Sequence, residues 1–260
     1  MDRSSNFDDL VMGLHSIAEA INGSKRSSYK LYASGQAFKE IKKKVQSEKL
    51  VQLESSHEIL SSHAIQERAK TYCEKLGFSF QRVPSQAFLA TYTLDTLSVD
   101  IFYKRLSKEK KVKLICLDQV TDVHNAAAIM RTAAFYGVDY IVVSVKGSFG
   151  KGPSFSRIAS GAIEHVQVVK CASLPKFLAN LEKRGVDCIG LSEHADSSLG
   201  EKDFKPLSEK VCLVFGAEDK GLSHAVTRVL KRKMALKPKG LIKSLNVSVA
   251  TAITMEKIFG

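Results

Sequence analysis

The chain has 260 residues, 44% of them hydrophobic, enough to fill the cores of one large or two modest domains. No apolar run approaches the ~20 residues of a membrane span, and the opening MDRSSNFDDL is too acidic and polar for a signal peptide, so composition argues against a membrane or secreted protein. The formal net charge is +12, spread as +5 up to residue 111 and +7 beyond it rather than gathered in a tail; such a field attracts polyanions, although surface lysines merely in contact with water would give the same count.

Along the first hundred residues, helix-like and strand-like segments alternate. Tyr29 to Ala33 reads as a strand, and Gln36 to Gln46 as a helix with Phe38, Ile41 and Val45 at helical spacing. Ile65, Ala69, Cys73 and Leu76 repeat that spacing before a strand-like FSFQRV from Phe78. This predicts a small α/β domain over 1–103, and the charged KRLSKEKK of Lys104 to Lys111 reads as a linker.

From residue 112 to 260, apolar runs recur at Val112 to Leu117, Val138 to Val145, Val166 to Val169, Val186 to Leu191 and Val211 to Phe215, separated by helix-like segments. That alternation predicts an α/β domain with a parallel sheet and helices on both faces. Neither GxGxxG after a strand nor GxxxxGK[ST] occurs, which removes the dinucleotide and P-loop fingerprints; GSFGKGP from Gly147 lacks the required Lys-Ser/Thr pair and reads as a loop. The final LNVSVATAI, Leu245 to Ile253, is apolar or small on nearly every face, predicting a helix buried all round. Five cysteines occur singly, without CxxC, and Cys116, Cys188 and Cys212 fall inside apolar runs, as expected of buried free thiols in a reducing cytoplasm. The seven histidines are scattered, and no metal site is expected.

Three stretches place polar residues where apolar runs stop: DVHNAAAIMRTA from Asp122, LVFGAE from Leu213 and SLNVSVA from Ser244. Strand ends are where open α/β sheets bind ligands, so Asn125, Arg131, Gly216, Glu218, Ser244 and Asn246 are candidate site residues. Five of them also have a structural explanation: Gly216 a turn, Glu218 a loop brace, Ser244 and Asn246 helix caps, and Arg131 a surface residue.

In their order, these stretches resemble the signature of the SpoU (TrmH-like) family of RNA ribose 2′-O-methyltransferases, in the SPOUT superfamily, over roughly 112 to 260; SRIASGAIEHV from Ser156 is similar to the helix between the family's first two motifs. The resemblance implies S-adenosylmethionine as cofactor, a deep trefoil knot with the chain end threaded through a loop, and a homodimer completing the pocket across its interface. It assigns catalytic roles to Asn125, Arg131, Glu218, Ser244 and Asn246, and cofactor contacts to Gly216, Leu236, Pro238 and Leu245. Arg131 matches the arginine near the reacting ribose; because guanidinium stays protonated, gripping phosphate or orienting the hydroxyl suits it better than a base role. The chain departs from the family at Ala127, often glycine, and at Leu236-Lys237-Pro238, where Ile-Pro-Met is usual. Together with GLHSIAEAI from Gly13, the N-terminal layout is similar to the ribosomal protein L30e-like substrate-binding domain of members acting on ribosomal or transfer RNA; LDTLSVDIFYKRL lacks the glycine expected near its end. Ribosomal RNA is the first expected partner and transfer RNA the second. A non-catalytic RNA-binding protein retaining the fold, and an ordinary Rossmann-type methyltransferase, are the alternatives; intact polar positions argue against the first and the missing glycine-rich loop against the second.

Overall fold

The computed structural model describes residues 6–80, 82–83, 86–145, 152–193, 195, 205–242 and 244–260. Contacts divide the chain into two units, one of Met1–Asp95 with Lys151–Glu164, the other of Thr96–Gly150 with His165–Gly260.

The first unit is built on a four-stranded sheet of β1 (Asp9–Met12), β2 (Tyr29–Ala33), β3 (His57–Ile59) and β4 (Ala87–Thr91), in the order β1-β4-β2-β3. Side chains alternate across it, so Leu31 and Leu89 enter one core while Tyr32 and Phe88 enter the other. Helices α1 (Leu14–Asn22), α2 (Gly35–Lys42) and α3 (Leu50–Ser55) supply Ile17, Ile41 and Leu53 to the first core, and α4 (Ser62–Leu76) supplies Ile65 and Cys73 to the second. The expected strand at FSFQRV does not form among its described residues. Phe78 and Phe80 pack on the α4 side instead, and the Gln66 side chain satisfies the Val83 backbone, accepting from its N–H at 2.9 Å and donating to its carbonyl at 3.1 Å.

The linker expectation over 104–111 is corrected. Lys104 to Leu106 form the last turn of α5 (Val99–Leu106), whose Phe102 and Leu106 are buried in the second unit's core, so its charged residues are the outer face of an amphipathic helix. The segment Lys151–Glu164, which carries α7 (Pro153–Ala159), returns to the first unit, so the expected division at 103 and 112 differs from the contact division. Within that unit, Ser156 Oγ accepts from the Met12 N–H at 3.1 Å, and Arg26 bridges Glu164 (2.8 Å) and Asp9 (2.9 Å). Gly147 to Lys151 lie outside the described residues.

In the second unit, β5 (Val112–Asp118), β6 (Tyr140–Ser144), β7 (Gln167–Cys171), β8 (Asp187–Leu191), β9 (Lys210–Gly216) and β10 (Arg232–Met234) form one parallel sheet in the order β10-β8-β9-β5-β6-β7. The five apolar runs expected from Val112 onward each fall on one of these strands, β5 to β9, and β10 was not anticipated. Leu114, Cys116, Val142, Cys212 and Val214 face α5, α8 (Leu174–Lys183) and α9 (His224–Val229). Alternate residues face the pair formed by α6 (Val123–Phe135) and α10 (Val247–Phe259), so helices cover both faces. Helix α6 packs closely because Ala126, Ala127 and Ala133 line its buried side; it stops at Gly137, φ +64°, a left-handed position that closes helices.

The last helix corrects the expectation of burial all round. Val247, Ala250, Thr251, Thr254 and Met255 are buried, whereas Val249 is 46% and Ile253 36% exposed, an i, i+4 stripe left open because α6 and β9 cover only the other side. All five cysteines are free and buried, and burial pushes the Cys116 thiol up and that of Cys171 to about 11, far from a reactive thiolate. No helix among the described residues is long and apolar enough to cross a membrane.

Candidate functional site

The strand order of the second unit reverses beside β5: β6 and β7 lie on one side, and the chain then crosses to β8, β9 and β10 on the other. The loops after the carboxyl ends of β5 and β9 therefore open at a topological switch point, the usual ligand crevice of such sheets. Two clefts meet there. The larger, about 940 Å³, is walled by Leu191, Phe215, Leu236, Pro238 and Leu245, with Gly216, Glu218 and Ser244 among its polar and small residues. The smaller, about 560 Å³, is bounded by Asp122 and Asn125 at the start of α6 and by the loop after β9. Gln119, Ala217, Glu218, Lys220 and Val247 border both.

The loop after β9 is a tight turn in which the Ala217 N–H donates to the Gly221 carbonyl at 3.1 Å and the Gly221 N–H returns the bond at 2.8 Å. The turn folds directly over Gly216, so that a methyl group there would overlap the Gly221 carbonyl and the Leu222 nitrogen. Glycine is thus required at 216 by the protein's own backbone. Asp118, buried at the end of β5, accepts from the Ser223 N–H at 2.7 Å and ties this turn's exit to the central strand.

One carboxylate oxygen joins the three motif stretches. Glu218 Oε1 accepts from Asn125 Nδ2 at 2.7 Å and from Asn246 Nδ2 at 2.6 Å, and Asn246 Nδ2 also lies 3.0 Å from Asn125 Oδ1. Asp122 caps α6 by accepting from the Asn125 N–H at 2.8 Å, while Asn246 caps α10 by accepting from the Ser248 N–H at 2.8 Å. Asn246 therefore caps and clusters with one side chain, and both asparagine amides are held at both ends.

The other expected residues divide. Gly216, Leu236, Pro238, Leu245 and Ser244 all line the larger cleft. Ser244 makes no capping bond among the described residues; Asn246 takes that role, because α10 begins at Val247. Arg131 is exposed and apart from both clefts, with no hydrogen bond or ion pair to a described residue; six residues beyond Asn125, it has turned ~120° away on α6. Sequence reasoning missed Asp118, Asp122 and Gln119. Asp118 could have been found as an acid closing an apolar run, and Asp122 as a helix cap; Gln119 has φ +61°, which nothing in the sequence announces. Among the described residues, no group of three or more side chains is arranged to hold a metal ion.

Comparison with known proteins agrees with this geometry. Residues 113–256 match the SpoU rRNA Methylase family. The chain is 29% identical over 249 residues to the 23S rRNA (guanosine-2′-O-)-methyltransferase RlmB of Shewanella oneidensis, covering 95% of each chain, and 34% identical over 145 residues to RlmB of Pseudomonas aeruginosa, covering 56% of this chain and 57% of that one. Its fold is similar to that of the SpoU methyltransferase AviRb from Streptomyces viridochromogenes, solved with AdoMet, with a TM-score of 0.69 at 18% identity over 98% of this chain and 90% of that one. The motif stretches meet at the switch point of a parallel sheet inside the matched span, and the chain belongs to the SpoU rRNA methylase family.

Proposed function

We propose that this protein is an S-adenosylmethionine-dependent methyltransferase acting on a ribose 2′-hydroxyl of ribosomal RNA, with transfer RNA as the second substrate class. The observation that carries the reading is the convergence of Asn125, Glu218 and Asn246 on one oxygen at the wall shared by two clefts. The larger cleft lies within the size range of small-molecule sites, and it combines apolar walls with the polar backbone of the turn after β9 at its border. Gly216, Leu236, Pro238 and Leu245 would hold S-adenosylmethionine, which supplies an electrophilic methyl group when bound. Asn125, Glu218 and Asn246 keep the boundary between the clefts rigid, so that a hydroxyl brought there meets fixed partners; positioning of this kind supplies much of the rate of an in-line transfer. Ser244, at the edge of the larger cleft, adds a hydroxyl that both donates and accepts.

Arg131 joins the site through a homodimer in this reading. Phe135, one helical turn beyond Arg131, is 82% exposed, and the Val249 and Ile253 stripe lies on the neighbouring α10. A second copy seated on this apolar face brings one subunit's Arg131 to the other's acceptor cleft, where its cation grips phosphate or orients the hydroxyl. Phe135→Glu is expected to shift the protein from dimer to monomer in sedimentation velocity and to remove activity in parallel; a dimer that survives this change would place the interface elsewhere. The threaded, knotted chain end belongs to the same reading. So do the L30e-like first unit as the part that recognises RNA and a cytoplasmic location.

The direct test is transfer of labelled methyl from S-adenosylmethionine into ribosomal RNA transcribed without modifications, followed by digestion to nucleosides. A labelled 2′-O-methylnucleoside is the expected product. Unlabelled RNA, with RNA binding and folding intact, would overturn the reading in favour of a binding-only protein.

A further inference from the structure

Among the described residues, the larger cleft is bordered by Lys220, Lys233, Lys237 and Lys239 and by the carboxylates of Glu193 and Glu218. Lys220, Lys237 and Lys239 are exposed and make no hydrogen bond or ion pair to any described residue. Three such ammonium groups around one opening repel each other, and none of them braces a described residue. The proposed cofactor does not account for them. S-adenosylmethionine carries a sulfonium and an ammonium against one carboxylate, so it arrives with a net positive charge and can pair with one lysine while being repelled by the others.

A polyanion accounts for all three. Among the described residues, Lys220 is the one cation bordering both clefts, on the same turn as Glu218. In RNA the 2′-hydroxyl is vicinal to the 3′-oxygen that carries the next phosphate, so a hydroxyl delivered to the wall between the clefts brings a phosphate to that wall as well. Lys237 and Lys239 stand on the segment after β10 and border the same cleft as Lys220. Lys237 also occupies the place where the resembled motif carries proline, so this charge belongs to this chain's own version of the loop.

We infer that Lys220, Lys237 and Lys239 form a phosphate track that holds the backbone of substrate RNA across the mouth of the cofactor cleft. The inference rests on the proposed methyltransferase reading for the position of the acceptor. Its consequence is coupling: RNA on the track neutralises the lysines, so the cationic cofactor binds more tightly to the RNA complex than to the free protein, and by linkage the cofactor tightens RNA to the same degree.

The test uses the full chain as wild type, as the triple variant Lys220→Gln, Lys237→Gln, Lys239→Gln, and as the corresponding triple arginine variant. Binding of an unmodified ribosomal RNA transcript is measured across a salt series, and S-adenosylmethionine binding by calorimetry. The glutamine variant is expected to bind RNA on the order of 10- to 100-fold more weakly and to lose about 2 units of salt slope, at roughly 0.7 per phosphate contact, while cofactor affinity is kept or improved. The arginine variant is expected to match wild type. RNA affinity and slope unchanged in the glutamine variant would overturn the track, as would weakened cofactor binding with RNA unaffected, which would assign the lysines to the cofactor. Loss of RNA binding in the arginine variant would overturn it too, since charge would not be the cause. A wild-type chain that binds no S-adenosylmethionine, yet shows the lysine-dependent salt slope, would overturn the methyltransferase reading and leave the track standing.

Discussion

Gly216→Ala is expected to abolish binding of S-adenosylmethionine, weakening it by at least ~100-fold, and methyl transfer is expected to disappear with it. The added methyl group has no room, because the Gly221 carbonyl and the Leu222 nitrogen already occupy its position. Backbone atoms cannot rotate aside as a flexible side chain can. The turn from Ala217 to Gly221 must move as a unit, breaking its two cross-turn bonds, and Glu218 moves with it, releasing Asn125 and Asn246. The lesion is confined to the loop, since Val214 and Phe215 remain packed below it in the strand. Calorimetry with the cofactor, beside a thermal melt followed by circular dichroism, separates loss of the site from loss of the fold. Near-normal cofactor affinity in this variant would move the cofactor out of the larger cleft.

Arg131→Ala is expected to lower transfer by about a thousandfold or more, while cofactor affinity and stability stay near wild type. The expectation of unchanged stability comes from the exposed position of Arg131 and its lack of a described partner. Kinetics sharpen the assignment of its role. Loss of a phosphate grip made equally in ground and transition states raises KM, whereas loss of an interaction realised only as the hydroxyl is activated lowers kcat. Because the reading places Arg131 in the second copy's site, mixing Arg131→Ala with Gly216→Ala after subunit exchange is expected to restore activity to about a quarter of wild type, since half of the dimers then hold one intact site. No recovery would mean that Arg131 and Gly216 act within the same subunit's site, or that Arg131 acts away from any site.

Much of the second unit was legible in the sequence because its signals are local. A strand buried on both faces of a parallel sheet must be apolar throughout, so β5, β6, β7, β8 and β9 each stood out as a run. The edge strand β10 did not, because Arg-Lys-Met carries no such pattern; it is a strand only through its pairing with β8 and the Arg232–Asp187 ion pair. The first unit behaved likewise: α4 followed from its spacing, while FSFQRV was drawn away from strand pairing by Gln66, a partner its composition cannot disclose.

The site divides along the same line. Sequence alone determined that Asn125, Gly216, Glu218 and Asn246 stand at strand ends and helix starts, because the stop of an apolar run and the need for a cap are properties of neighbouring residues. Only the tertiary structure decided that a single oxygen of Glu218 takes both asparagine amides, that Gly216 is held to glycine by Gly221 and Leu222, and that Val249 and Ile253 lie open. Those outcomes depend on which strands become neighbours and which helix face is covered. Contacts between segments far apart in the chain settle both, and no local pattern of residues encodes them.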